Sequence, residues 1–304
     1  MSPRLAWSVA GAATLALALA VAVAGCGSPS NAEPQQPGGK IAVVTSTNVW
    51  GSVVRAVGGD QVDVKAILSD PAADPHSYQS SATDATALKN AKLAVYNGGG
   101  YDDFFTQLAG ESGQDARKIV TFDVSGKPQG TNEHVWYDLP TVKKVAGKVA
   151  EELGAIAPDR KDTFLANAKT FDGRIDELVA RTEQIGKAKP GQKVVVTEPV
   201  ADYLLQTAGV QDATPEEFSE AIEEETDPPA AAIAATSDLV RTKQVAALVN
   251  NEQTETPVTN QLDDTAKSAG VPIVQVTETL PEGVTGYLDW MTKQVDALSG
   301  ALTK

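Results

Sequence analysis

The feature that most constrains the fold is a long amphipathic run in the middle of the chain. Phe164, Ala168, Phe171, Ile175, Leu178, Thr182 and Ile185 recur at spacings of four and three. Those positions lie on one face of an α-helix. Pro158 stands near the start of the run and Pro190-Gly191 closes it, as helix boundaries require. About 27 helical residues at 1.5 Å each reach roughly 40 Å. Ordinary crossover helices are shorter, so residues 158–190 are expected to form a linking helix that touches two separate α/β units.

On either side, short apolar runs alternate with helical patterns. The first series predicts strands at Lys40–Thr45, Val62–Leu68, Lys92–Asn97 and Lys118–Phe122. The second predicts Lys193–Val196, Val245–Asn250 and Ile273–Val276, with helices such as Asn48–Ala56, Ala82–Asn90 and Val258–Ala269 in the gaps. Strand and helix in alternation predict an α/β fold with mainly parallel sheets flanked by helices. Two lobes are therefore expected, at residues 40–157 and 191–304. A chain of 304 residues, 42% of them apolar, can fill two modest cores.

The N-terminus carries a different signal. Arg4 precedes an apolar stretch from Leu5 to Val23, and Val23-Ala24-Gly25-Cys26 follows. A basic residue, an apolar segment and small residues before a cut site read as a secretory signal over residues 1–25. A membrane anchor of about 20 residues would also be apolar, but it would not need small residues leading into Cys. Val-Ala-Gly-Cys resembles a bacterial lipobox, which implies cleavage before Cys26 and lipidation of its thiol. Cys26 is the sole cysteine, so an internal disulfide and a cysteine-based zinc site are both excluded. Residues 26–39 are rich in Pro, Gly, Ser and Gln and read as a flexible tether. The net charge of −15 argues against nucleic acid, whose affinity rests on Lys and Arg.

Two further segments invite chemistry. The acidic run Glu216–Asp227 follows Thr214-Pro215, a helix-start pattern with Glu217 at the third helical position. It reads as a capped helix with a solvated face rather than a metal collector. Gly98-Gly99-Gly100 follows a strand, but Tyr101-Asp102-Asp103 comes next in place of the Lys and Ser/Thr of a phosphate loop. It reads as a strand-to-helix turn.

The chain has two histidines. His76 lies in Asp74-Pro75-His76-Ser77-Tyr78 and His134 in Glu133-His134-Val135-Trp136-Tyr137-Asp138, both turn-like and away from apolar stripes. Glu198 follows Val194-Val195-Val196-Thr197, and Glu278 follows Ile273-Val274-Gln275-Val276-Thr277. Each glutamate thus ends an apolar strand after a threonine. Open α/β sheets bind ligands beyond the carboxyl ends of their strands. Two imidazoles and two carboxylates suit zinc or manganese. Equally, each glutamate could cap a following helix, where a negative side chain is favourable.

The lipobox, the two histidine motifs in this order and the long central helix resemble the zinc/manganese class of ABC-transporter substrate-binding lipoproteins. The resemblance covers about residues 40–300. It implies that His76, in a Pro-His-x-Tyr-like motif, and His134, in His-Val-Trp, are metal ligands. Glu198 matches the third ligand. The fourth is usually an aspartate, and Glu278 occupies its place with one more methylene. Asp74 and Asp138 are expected to orient the imidazoles. The resemblance further implies Zn2+ or Mn2+ as transported cargo, an ABC permease with its ATPase as partners, a monomer, and a lipid anchor at the extracytoplasmic face of the cell membrane. Residues 77–133 contain no histidine, so the His-rich loop of many zinc members is missing. Binding without turnover is expected. A secreted metalloenzyme with a two-histidine/carboxylate site is the main rival, but no His-Glu-x-x-His motif supplies its base. A surface adhesin is a third reading.

Overall fold

The computed structural model describes residues 39–71, 75 and 78–303. The signal, the lipobox with Cys26 and most of the tether fall outside these residues, as do Asp74 and His76. In chain order the strands are β1 (Ile41–Thr47), β2 (Val62–Leu68), β3 (Leu93–Tyr96), β4 (Arg117–Val120), β5 (Lys193–Val196), β6 (Gln211–Asp212), β7 (Ala247–Asn251) and β8 (Ile273–Val276). The helices are α1 (Asn48–Gly58), α2 (Ala82–Asn90), α3 (Asp103–Glu111), α4 (Thr121–Ser125), α5 (Leu139–Ile156) and α6 (Lys161–Ala188). They continue with α7 (Asp202–Thr207), α8 (Glu216–Glu223), α9 (Ala230–Arg241), α10 (Pro257–Ala269) and α11 (Tyr287–Leu302).

Two four-stranded sheets result, ordered β2-β1-β3-β4 and β6-β5-β7-β8. Every pairing in them is parallel. Strand order reverses between β1 and β3 in one sheet and between β5 and β7 in the other. Such switch points open a crevice at the strands' carboxyl ends. Continuous apolar runs such as Val194-Val195-Val196, all buried, are what a sheet covered on both faces demands.

The spine is α6, a 28-residue helix preceded by a single 3-10 turn at Pro158–Arg160. Its buried residues are Phe164, Ala168, Phe171, Ile175, Leu178, Thr182 and Ile185, the stripe read from the sequence. They pack under α1 and α5 on one side and α11 on the other. One continuous core joins Val43 and Leu93 of the first sheet to Val194, Val249 and Val274 of the second. Each fully buried Phe or Ile contributes about 1.5–3 kcal/mol, so the spine is anchored along its length. Gly39–Lys304 forms one compact unit. No described helix is long and apolar enough to cross a membrane.

Polar bonds also cross between the halves. Asn48 Nδ2 donates to the Leu280 carbonyl at 3.2 Å, and the Leu280 amide returns to Asn48 Oδ1 at 2.9 Å. The Tyr137 hydroxyl donates to the Thr277 carbonyl at 2.9 Å, and the Tyr287 hydroxyl to the Trp136 carbonyl at 2.5 Å. These bonds hold the segments after His134 and after β8 against each other.

Local departures from the expected boundaries have physical causes. Thr121 and Phe122, expected in a strand, open α4, because the Phe122 amide turns to the Asn97 carbonyl at 2.9 Å. Strand β6 is two residues long, too short to show a pattern. Helix α8 begins after Pro215, but the Thr214 hydroxyl does not cap it. That hydroxyl accepts from the Val196 amide at 2.8 Å and donates to Asp212 Oδ1 at 2.5 Å, so it closes the end of β5.

The glycine run is a strand-to-helix turn, as expected. Asp102 is fully buried, and its carboxylate accepts from the Asn97 and Gly98 amides, each at 2.7 Å. The carboxylate occupies amides that a phosphate loop would offer to its ligand. Burial pushes Asp102 up to about 6 despite those bonds. Gly98 has φ of 73°, and a Cβ there would lie 2.4 Å from Val120 Cγ1. Gly98→Ala is therefore expected to destabilise the protein by about 2–4 kcal/mol, from left-handed strain plus overpacking, as measured by urea denaturation.

Candidate metal site

Three of the four expected ligands are described, and each sits where a strand or turn delivers it to the crevice. His134 precedes a one-turn helix at Val135–Tyr137 and is 1% exposed. Its ring packs edge-on against Trp136, with centroids 5.0 Å apart, and against Tyr101 at 5.9 Å. Asn132 fixes it further: Asn132 Oδ1 lies 2.8 Å from His134 Nδ1 and accepts from the His134 amide at 2.9 Å. Asn132 Nδ2 donates to the Pro199 carbonyl at 2.7 Å, so its oxygen is the atom facing the ring. An amide oxygen can only accept, which assigns the proton to Nδ1 and leaves the ring's lone pair on Nε2. The Tyr203 hydroxyl in turn donates to the Asn132 carbonyl at 2.6 Å.

Glu198 lies just past β5 and is 4% exposed; Glu278 lies just past β8 and is 5% exposed. The capping alternative finds no support at either position. Glu198 precedes the turn Pro199–Ala201, but its side chain makes no cap hydrogen bond. The next helix after Glu278, α11, starts at Tyr287 and takes Gly286 as its N-cap. The two carboxylates instead meet at one amide: Asn251 Nδ2 donates to Glu198 Oε2 at 2.5 Å and to Glu278 Oε1 at 2.9 Å. Two buried carboxylates that share a neutral donor favour a positive charge nearby.

The acidic helix adds an unexpected neighbour. Glu223, at the end of α8, places Oε1 3.7 Å from His134 Nε2. Among the described residues, Glu133, His134 and Glu223 each bring one ligand atom to within 4.8 Å of the others. Burial first, then Glu133, Glu198, Glu278 and Asp202, pushes Glu223 up to about 8. Those named charges also place Glu223 among the residues that the sequence singled out. Charge-run reasoning missed it, because a helix with one solvated face still turns its last residue inward.

Asn132 and Asn251 were missed for another reason. Amides are neither ligands nor charged, so a search for donors to a metal passes over them. Asp138, expected to orient an imidazole, accepts from the Thr141 hydroxyl at 2.7 Å and pairs with Lys127 at 3.0 Å. Asn132 is the residue that takes His134 Nδ1.

Beside the site opens a cavity of about 910 Å³ whose lining includes Glu133, Asp202, Asp212, Glu220 and Glu223. Burial pushes Asp202 up to about 7, with Asp212 adding repulsion.

Two parallel α/β sheets thus share one spine helix, with Glu198 and Glu278 buried just past β5 and β8. The chain belongs to the family described as zinc-uptake complex component A, periplasmic, which matches residues 43–301. It is similar to the zinc-binding lipoprotein AdcA of Streptococcus pneumoniae, 24% identical over 298 residues, covering 87% of this chain and 56% of AdcA. It is also similar to the manganese ABC transporter substrate-binding lipoprotein PsaA of the same species, 26% identical over 193 residues, covering 58% and 62%. The chain thus spans less than two thirds of the length of these relatives. Among solved structures, the periplasmic zinc binding protein TroA of Treponema pallidum matches with a TM-score of 0.71 at 20% identity. That match covers 88% of this chain and 100% of TroA, and it shows a shared fold.

The raised Asp202 has a consequence for stability. Its unfolded value is about 3.9. Between that value and about 7 the folded chain holds a proton that the unfolded chain lacks. The metal-free protein should therefore lose stability as pH rises from about 4 to about 7, then level off. Asp202→Asn is expected to remove that part of the slope and to raise the melting temperature at pH 8, by about 2–4 °C per kcal/mol recovered. Thermal melts from pH 4 to 8 measure both.

Proposed function

We propose that this protein captures a divalent transition metal, zinc or manganese, outside the cytoplasm and delivers it to an ABC import permease. The observation that carries the reading is the buried pair Glu198 and Glu278, both held by the Asn251 amide. In this reading His76, His134, Glu198 and Glu278 hold the cargo, and two carboxylates balance its charge. The chain acts by binding and release, without turnover. Residues 1–25 serve as the export signal, Cys26 carries the lipid, and residues 26–39 tether a monomer to the outer face of the cell membrane. The lobes are residues 40–157 and 191–304, joined by the linking helix 158–190. The spine and the bonds between Tyr137 and Thr277 restrict hinge bending, so closure on the metal is local.

Imidazole and carboxylate donors accept both ions, and zinc outranks manganese at a given nitrogen/oxygen site. Calorimetric titration of the chelator-stripped protein lacking residues 1–26 is expected to show one saturable site for each ion, tighter for zinc. His134→Ala should weaken zinc binding by at least 100-fold, since it removes a donor and leaves the carboxylates imperfectly matched. Absence of heat with either ion, at concentrations sensitive to micromolar binding, would remove the metal assignment.

A further inference from the structure

The exit of β7 touches both buried glutamates of the site. Asn251 is 1% exposed. Its amide orientation is determined: Oδ1 accepts from the Gln253 backbone N–H at 3.1 Å, and a backbone N–H can only donate. The NH2 group must therefore face Glu198 and Glu278, giving one oxygen of each carboxylate a donor. Its backbone is fixed as well, because the Asn251 amide donates to Thr197 Oγ1 at 2.9 Å, next to Glu198. Gln253 reaches in the other direction. Its Oε1 accepts from the Glu278 amide at 2.5 Å and the Thr279 amide at 3.1 Å. Its Nε2 donates to the Pro71 carbonyl at 2.8 Å, beyond β2 in the other lobe. Pro71 stands five residues ahead of His76 in the sequence.

We propose that Asn251 and Gln253 are the positioning residues of the metal site. Asn251 sets the spacing and orientation of the two carboxylates, and Gln253 ties the backbone of Glu278 to Pro71 in the other lobe. The inference rests on the receptor reading above. A carboxylate accepts at both oxygens, so the bonds from Asn251 persist while the second oxygen of each glutamate meets the cation. The bracket works through the ligands and contributes no ligand atom of its own. Loss of such an outer partner commonly costs 10- to 100-fold in metal affinity.

The test compares wild type, Asn251→Ala and Gln253→Glu, all lacking residues 1–26. Zinc affinity is read by competition with a chromophoric chelator, zinc release by a chelator chase, and melting temperature with and without zinc. Asn251→Ala should weaken zinc binding about 10- to 100-fold. The rise in melting temperature on loading should shrink with it, a change that a merely structural residue would not cause. Gln253→Glu keeps the acceptor for the two amides and loses the donor to Pro71. It should release zinc about tenfold faster, and it decides the matter should Asn251→Ala not fold. Tight wild-type binding with both variants unchanged would overturn the bracket and leave the receptor reading standing. A wild type that binds neither zinc nor manganese would overturn that reading, and the bracket with it.

Discussion

Two carboxylic side chains, Glu198 and Glu278, are buried just past β5 and β8, and Asn251 at the end of β7, the strand between them, donates to both. Like charges in a low-dielectric setting repel by several kcal/mol, and the Asn251 amide offsets part of that. The arrangement persists because the surrounding chain over-determines it. Strands β5, β7 and β8 lie side by side in one parallel sheet, which brings residues 198, 251 and 278 to one edge of the crevice. In the proposed reading this is the place that receives the dication.

The spine explains why that place is stable. A helix of 28 residues packed against α1, α5 and α11 makes the two sheets share one core. Hinge motion would have to break this core, whereas small shifts of the loops beyond the strands would not. The hydrogen bonds from Tyr137 to Thr277 and from Asn48 to Leu280 lie among those loops. Polar bonding between the lobes is therefore concentrated in short segments, on a scaffold held by one shared core.

Much of this was legible in the sequence because burial leaves periodic marks. The stripe from Phe164 to Ile185 and the run Val194–Val196 show their environment through spacing and composition. Glu198 and Glu278 stood out because a charge directly after an apolar strand is unusual outside a site. Glu223 did not stand out, since its neighbours Glu220, Glu224 and Glu225 made it look like one more solvated charge. Only the packing of α8 beside His134 separates it from them. Asn132, Asn251 and Gln253 left no mark either. Their importance lies in which atoms they face, and amide direction is set by tertiary contacts that no local pattern encodes.

The cavity beside the site extends the same electrostatic logic outward. Among the described residues its lining includes eight carboxylates and neither Lys nor Arg. A cleft of one sign with low-dielectric walls focuses its field and raises the local concentration of counter-ions. Taken alone, the count of carboxylates overstates that field. Glu223 at about 8 and Asp202 at about 7 each hold a proton for much of the time near neutral pH. Their neutral forms relieve the repulsion that eight charges would impose on the metal-free protein. An approaching dication reverses the balance, because it favours the ionised form of each group it nears. The lining can therefore answer a cation with more negative charge than it carries at rest, which fits the proposed capture of a metal ion.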